Sequence, residues 1–226
     1  MGDVKGQQKG KLEQVGGKTY MEKKTYLKVF VIAMISAFLT GMAQEPVSAG
    51  KANSGQAKIP GTTTYADKKV VDAFTTLEFE IIYDKELDYA GVFSIQHHAI
   101  ILKKQNRNWL LHEMGHFLSR LKDGADSTKK FKDIYRKERQ SYRDIKGQNV
   151  RKYVCKNNKE YFAQSFADYT IRPKTLKKQR PGTYTYIARK VDSISKADIE
   201  RIKEMYGRAW GMQLAEEGGR YENQDN

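Results

Sequence analysis

Two histidines four residues apart, His112 and His116, are the strongest chemical signal in the sequence, and Glu113 follows the first directly. Because an α-helix advances about 3.6 residues per turn, positions i and i+4 share one face, so both imidazoles can bind one metal ion. They leave a tetrahedral zinc ion with room for a third protein ligand and a water molecule, whose proton a neighbouring carboxylate can accept. The pattern predicts one Zn²⁺ per chain, with Glu113 as the general base of a metalloprotease.

The segment around these histidines has the pattern of an amphipathic helix, expected over residues 108–121. Gly115 lies inside this helix, where it costs about 1 kcal/mol relative to alanine. That cost is understandable if another backbone must approach the helix closely. The alternative is a half-buried helix whose histidines are incidental.

The third ligand cannot be chosen from spacing alone. The positions at which metzincins carry a glycine and a third histidine hold Ser119 and Lys122 here. His97 and His98 fall in an expected strand, where neighbouring side chains point to opposite faces, so only one could turn toward the site. The third protein ligand in such sites is usually a carboxylate from a later helix. The downstream candidates are Asp123, Asp126, Asp133, Glu138, Asp144, Glu160 and Asp168.

Glu160 opens a segment with helical spacing, expected over residues 159–170. Ala163 and Ala167 give this helix a small-residue face that could pack closely against Gly115 and turn Glu160 toward the first helix. An acidic residue in the first turn of a helix is explained equally well by the helix dipole. Both interpretations of Glu160 stay open on the residues alone.

Several pieces of the sequence, in their order and spacing, carry a family resemblance. They are the run His112–His116, the run Lys130–Tyr135 with Glu138 after it, Tyr153 seven residues before Glu160, the Glu-x-Phe-Ala-x-x-Phe run that begins at Glu160, and the run Pro181–Ile187. The stretch from His112 to about Ile194 resembles the catalytic domain shared by anthrax lethal factor and the Pro-Pro endopeptidases, which are zinc metallopeptidases. The likeness extends more weakly back to about residue 65.

This resemblance implies a zincin-like fold and a set of roles. By likeness, His112, His116 and Glu160 are the metal ligands, and Glu113 is the general base. Tyr153 is the phenol that stabilises the transition state. Family members commonly carry glutamate where this chain has Gln164, and an amide is a weaker, neutral acceptor for a ligand imidazole. Cleavage between prolines belongs to only part of the family and is not implied here.

Composition and patterning divide the chain into five segments. Residues 1–20 form a polar extension that could precede the natural start, residues 21–43 a secretory signal peptide, and residues 44–64 a flexible linker. A single catalytic domain is expected over residues 65–212 and a disordered tail over residues 213–226.

Within the domain, strands are expected at 77–83 and 91–103, and helices at 65–76, 127–139, 183–192 and 195–210, besides the two helices described above. Strands that gather before helices predict an α+β fold, with a small sheet followed mostly by helices. The strand region Phe93–Ile101 could be a sheet edge to which an extended substrate adds. Alternatively it is internal, with Ile100 and Leu102 in the core.

The part of the chain from Gln44 onward keeps 34 basic and 24 acidic residues, and its net charge of +10 favours anionic partners, such as acidic surfaces or acidic proteins. No nucleic-acid module accompanies the basic runs, so a nucleic-acid function is not expected. A single cysteine, Cys155, excludes an intrachain disulfide. The sequence therefore predicts a secreted, monomeric zinc metalloendopeptidase acting on extracellular or cell-surface protein or peptide substrates. The alternatives are a catalytically silent, toxin-associated binding module of the same fold, or a basic surface-binding protein.

Overall fold

The structure, a computed structural model, describes residues 55–212, which form an α+β fold with a small sheet followed by helices. The extension, the predicted signal peptide and the predicted C-terminal tail lie outside the described residues. Over 55–212, no helix combines the length and the apolar character needed to cross a bilayer.

A two-stranded ribbon begins the described part of the chain. Strand β1 (Gln56–Lys58) pairs antiparallel with strand β2 (Tyr65–Asp67). Ile59, in the connection between them, is fully buried. The prediction of a flexible linker up to residue 64 is therefore wrong for residues 55–64, because the buried side chain of Ile59 packs this segment against the domain.

Helix α1 (Lys68–Thr76) follows directly and is shorter than predicted. The prediction of a helix from residue 65 is wrong for residues 65–67, which form β2 instead. The Asp67 side chain accepts a hydrogen bond from the backbone N–H of Lys69, so it caps the helix at this boundary.

Three strands form the main sheet: β3 (Glu80–Tyr83), β4 (Gly91–Ser94) and β5 (Ala99–Leu102), in the spatial order β3–β5–β4. Strand β5 pairs parallel with β3 and antiparallel with β4. All four residues of β5 are buried, so the last strand before the metal-binding helix is internal and its Ile100 and Leu102 belong to the core. The edge beside that helix is β4.

Helix α2 (Arg107–Leu121) carries both histidines. The Asn106 side chain accepts hydrogen bonds from the backbone N–H groups of Asn108 and Trp109, which fixes where the helix begins. Most of the helix is buried against strands β4 and β5 and against a later helix. The side chains of its middle turns are therefore held by neighbouring elements, except that His116 is partly exposed.

Helices make up most of the remaining described chain. The bounds are α3 (Lys129–Glu138), α4 (Arg151–Val154), α5 (Asn158–Ile171), α6 (Pro173–Gln179), α7 (Pro181–Asp192) and α8 (Lys196–Trp210). The helices predicted at 127–139, 159–170, 183–192 and 195–210 are therefore present, with ends that differ by at most two residues. The short helices α4 and α6 were not predicted. Helices α6 and α7 each begin with a proline at the first helical position.

The Glu138 side chain joins α3 to the start of α7. Its carboxylate accepts hydrogen bonds from the backbone N–H groups of Gly182 and Thr183, each at 2.8 Å, and from the Thr183 hydroxyl at 2.7 Å. These N–H groups have no partner within the helix, and a negative charge at this end is favoured by the helix dipole. An ideal Cβ on Gly182 would lie 2.8 Å from Glu138 Oε1, so a larger residue would displace the carboxylate. The motif pieces around 130–138 and 181–187 thus have a structural role.

Candidate metal centre

Helices α2 and α5 cross in close contact beside the two histidines. An ideal Cβ on Gly115 would lie 2.6 Å from both the Cα atom and the carbonyl oxygen of Ala163. Non-bonded carbon atoms normally approach to about 3.5–4.0 Å, so only glycine permits this crossing. The contact brings the first turn of α5 to the face of α2 that carries the imidazoles, which is the first of the two interpretations that the residues left open for Glu160.

Three side chains meet at this crossing. Glu160 Oε2 lies 3.0 Å from His112 Nε2 and 3.6 Å from His116 Nε2. The ligand atoms of the three residues all lie within 4.8 Å of one another. The side chain of Glu160 is 1% exposed and that of His112 is 9% exposed, whereas that of His116 is 22% exposed. The group is therefore most accessible beside His116.

Neighbouring charges in this group shift the pKa values of Glu160 and His116. Burial alone would raise the pKa of Glu160, but its interactions with His112 and His116 outweigh burial and lower that pKa well below the usual range. For His116, burial lowers the pKa, but the nearby carboxylates of Glu160 and Glu113 raise it by more. Glu160 is therefore ionised at neutral pH, as a metal ligand must be.

The spacing of these donors fits a zinc ion. Zinc–ligand bonds of about 2.0–2.2 Å place neighbouring ligand atoms about 3.4 Å apart in a tetrahedral site. The two distances from Glu160 Oε2 to the imidazole nitrogens, 3.0 and 3.6 Å, lie on either side of that value. His112, His116 and Glu160 thus form a group able to hold a metal ion, and two imidazoles with one carboxylate are a common zinc donor set.

Gln164 orients one of the imidazoles. Its Oε1 lies 3.3 Å from His112 Nδ1, and an amide oxygen can only accept, so this contact requires the proton on Nδ1. In this tautomer the Nε2 of a neutral His112 ring, which lies 3.0 Å from Glu160 Oε2, has a lone pair with which it can bind a metal ion.

Glu113 lies against the edge strand β4. Its Oε2 accepts a hydrogen bond of 2.8 Å from the backbone N–H of Phe93. An ideal Cβ on Gly91 would come within 3.3 Å of Glu113 Oε1, so a side chain larger than glycine would crowd the carboxylate. The strand therefore fixes the Glu113 carboxylate beside the imidazoles and next to the edge of the sheet. The sequence did not predict this contact, because it depends on strand order.

Tyr153, in α4, borders the group. Its ring centroid lies 6.1 Å from that of His112, and its hydroxyl is hydrogen-bonded with Glu160. Burial, followed by the charge and hydrogen bond of Glu160, raises the pKa of the phenol. The hydroxyl is therefore protonated at neutral pH and able to donate.

Lys156 is a neighbour that no motif in the sequence predicted. Its Nζ lies 3.8 Å from the centroid of the Tyr153 ring and 3.8 Å from Glu160 Oε1. The only signal in the sequence is its position between Tyr153 and Glu160, one helical turn before the latter.

His97 and His98 lie in the turn between β4 and β5, so their prediction as strand residues is wrong. His98 adopts a left-handed backbone with φ of 55°, and its ring stacks on Trp210 with centroids 4.0 Å apart. Trp210 also donates a hydrogen bond of 2.8 Å to the carbonyl of Ile95. Across residues 55–212, the metal-binding group contains neither histidine.

The other downstream carboxylates have different partners. Asp168, which is fully buried, pairs with Arg172 at 2.9 Å and with the buried Arg180. Among the candidates in the described segment, Glu160 alone joins the two histidines. Hydrogen bonds or ion pairs to other residues are made by Asp123, Asp126, Asp133, Glu138, Asp144 and Asp168.

The small sheet, the histidine-bearing helix and the following helices define a zincin-like α+β domain with a candidate metal centre. The chain belongs to the family described as anthrax toxin lethal factor, N- and C-terminal domain, whose model matches residues 75–190, just over half of the sequence. The matched segment contains all of His112, Glu113, His116, Tyr153 and Glu160. No curated protein matches the chain.

Proposed function

We propose that this protein is a secreted, zinc-dependent metalloendopeptidase. The observation that carries the proposal is the convergence of His112, His116 and Glu160 from two helices, with ligand atoms within 4.8 Å of one another. Membership of a toxin-related family supports it. A buried carboxylate that faces two imidazoles is poorly suited to stability alone, because the cost of desolvating buried charges offsets their attraction.

In this proposal, His112, His116 and Glu160 hold the zinc ion. When bound, zinc supplies Lewis-acid activation of a water molecule and of the scissile carbonyl. Glu113, held by the Phe93 N–H, accepts the proton of that water at its free carboxylate oxygen and delivers it to the leaving amine. The Tyr153 hydroxyl donates a hydrogen bond to the carbonyl oxygen as negative charge develops there.

The proposed substrate is an extended protein or peptide segment that adds to the outer side of β4. This strand is an edge of the sheet, and the Glu113 carboxylate lies against it through the Phe93 N–H. A segment paired with β4 would therefore pass close to the general base. The net charge of +10 over residues 44–226 favours acidic substrates or anionic surfaces. We propose no preference for proline.

Secretion and a monomeric state are parts of the proposal that rest on the sequence. The basic and apolar run within residues 21–43 has the composition of a signal peptide. Mass analysis of the protein exported by its natural host tests both the export and the cleavage position.

The decisive experiment incubates the purified protein with a diverse peptide library and identifies cleavage sites by mass spectrometry. The wild-type protein is expected to bind one zinc ion per chain and to cleave, to lose cleavage when zinc is removed by a chelator, and to regain it when zinc is restored. The matched control is Glu113→Gln, which keeps a hydrogen-bond acceptor for the Phe93 N–H but cannot take up the proton. It should retain zinc and lose at least about a hundredfold in turnover.

A second candidate function is a catalytically silent binding module. The observation that favours it is Gln164, whose neutral amide supports His112 less strongly than a carboxylate would. Stoichiometric zinc without cleavage of any peptide would support this candidate over the peptidase. A protein that binds no zinc would refute both and leave a basic surface-binding protein.

A further inference from the structure

Lys156 is the one cation in direct contact with the candidate centre among the described residues, and it touches two members of the site at once. Its ammonium lies above the Tyr153 ring, 3.8 Å from the centroid, and 3.8 Å from Glu160 Oε1. The backbone N–H of Lys156 donates to the carbonyl of Tyr153, so a tight turn sets the lysine over the ring.

The two oxygens of Glu160 face different partners. Oε2 lies 3.0 and 3.6 Å from the Nε2 atoms of His112 and His116, whereas the Lys156 ammonium lies on the side of Oε1. A carboxylate can bind a cation through one oxygen or through both. The position of Lys156 favours binding through Oε2 alone.

The ion pair between Lys156 and Glu160 contributes little to stability. The Lys156 side chain is 34% exposed and its ion pair with Glu160 is long, at 3.8 Å. Partly exposed ion pairs of this kind contribute little to folding because solvent screens them and because ordering a long side chain costs entropy. A cation close to a metal site also weakens metal binding by repulsion. A contribution of Lys156 to the reaction would explain why the chain has a cation here that adds little stability and disfavours metal binding.

We propose that Lys156 is a positioning residue that restrains Glu160 to bind zinc through Oε2 only and holds the Tyr153 ring in place for the reaction. This inference rests on the proposed function. An acid that binds through one oxygen leaves a coordination position open for water and substrate, whereas an acid that binds through both oxygens fills it. The contact with the ring restricts Tyr153, whose hydroxyl must reach the substrate oxygen.

Removal of the charge should therefore separate metal affinity from turnover. Without Lys156, both oxygens of Glu160 can reach the metal and the repulsion between cations is gone, so zinc should bind as tightly as before or up to about tenfold more tightly. Turnover should fall by about ten- to a hundredfold, because the open position and the order of Tyr153 are lost. A purely structural role predicts that both quantities fall together or that neither changes.

The test compares the full-length protein with Lys156→Met, which keeps the apolar stem without the charge, and with Lys156→Arg, which keeps the charge. Lys152→Met is the matched control, since Lys152 is an exposed lysine one turn earlier. Each variant is loaded with Co²⁺, whose visible absorption weakens as coordination rises from four to five ligands. Zinc affinity is measured by competition with a chromophoric chelator, and kcat and KM with a peptide that the wild type cleaves.

The expected result is a weaker Co²⁺ absorption, undiminished zinc affinity and a reduced kcat in Lys156→Met, with near wild-type behaviour in Lys156→Arg and Lys152→Met. Wild-type absorption and kcat in Lys156→Met would overturn the proposal, and so would a loss of zinc affinity. If Lys156→Met fails to fold by circular dichroism, Lys156→Gln provides the same comparison. A wild-type protein that binds neither Zn²⁺ nor Co²⁺ refutes the proposed function instead, so the two failures are distinguishable.

Discussion

Gly115→Ala should damage the metal centre without touching a ligand. An ideal Cβ at this position lies 2.6 Å from the Cα and carbonyl oxygen of Ala163, which is short of normal contact by about 0.9 Å. Both of these atoms belong to backbone, so the added methyl group has to push α5 away from α2. Glycine to alanine in a helix would otherwise stabilise by about 1 kcal/mol, and overpacking costs about 1–3 kcal/mol. The expected net loss in the free energy of unfolding is at most about 2 kcal/mol.

The effect on zinc should be larger than the effect on folding. His116 follows Gly115 directly, and Glu160 lies about one turn before Ala163. Metal–ligand distances tolerate only about 0.2 Å, so a displacement several times larger removes Glu160 from the ligand set. Zinc affinity should fall at least about tenfold in a competition titration, and zinc should raise the melting temperature of Gly115→Ala less than that of the wild type. Wild-type zinc affinity in this variant would refute the close crossing of α2 and α5 as the basis of the site.

Three further outcomes are expected. Tyr153→Phe should lower kcat by about ten- to a thousandfold while zinc affinity stays unchanged, and a wild-type kcat would remove the hydroxyl from the mechanism. Glu138→Gln should lower the free energy of unfolding by about 1–2 kcal/mol, because it removes the negative charge at the start of α7. Zinc affinity should not change. An unchanged midpoint of chemical denaturation would contradict the stabilising role of Glu138. Zinc affinity should fall as the pH drops, because His116 in the metal-free protein has a pKa above its usual 6.5 and protons begin to compete with zinc above that pH. Calorimetric titrations from pH 8 to pH 5 measure this dependence, and a constant affinity would exclude imidazole ligands.

The sequence predicted most of what makes up the candidate site. The spacing of His112 and His116 required a helix, and Gly115 inside that helix indicated a close backbone neighbour, which is Ala163. Spacing alone left Glu160 as one of several carboxylates. The crossing of the two helices selects it, because that crossing is a tertiary contact with no local signature.

The errors in the predicted fold come from contacts that are distant in the sequence. The segment before residue 65 has a linker-like composition, yet it gains a strand partner and a buried site for Ile59. Strand order could not be predicted from the alternation of apolar and polar residues. The fully apolar run Ala99–Leu102 is nevertheless typical of an internal strand. The contacts of Lys156 and of the Phe93 N–H depend on geometry that local patterns do not encode.

The stacking of Trp210 on His98 links the last described helix to the turn that leads out of β4. Trp210 also binds the carbonyl of Ile95, just past the end of β4, across 115 positions of sequence. The strand that holds Glu113 is thus anchored at one end by a residue synthesised much later. During synthesis, the turn that follows the edge strand gains this anchor only once α8 has emerged and packed against it.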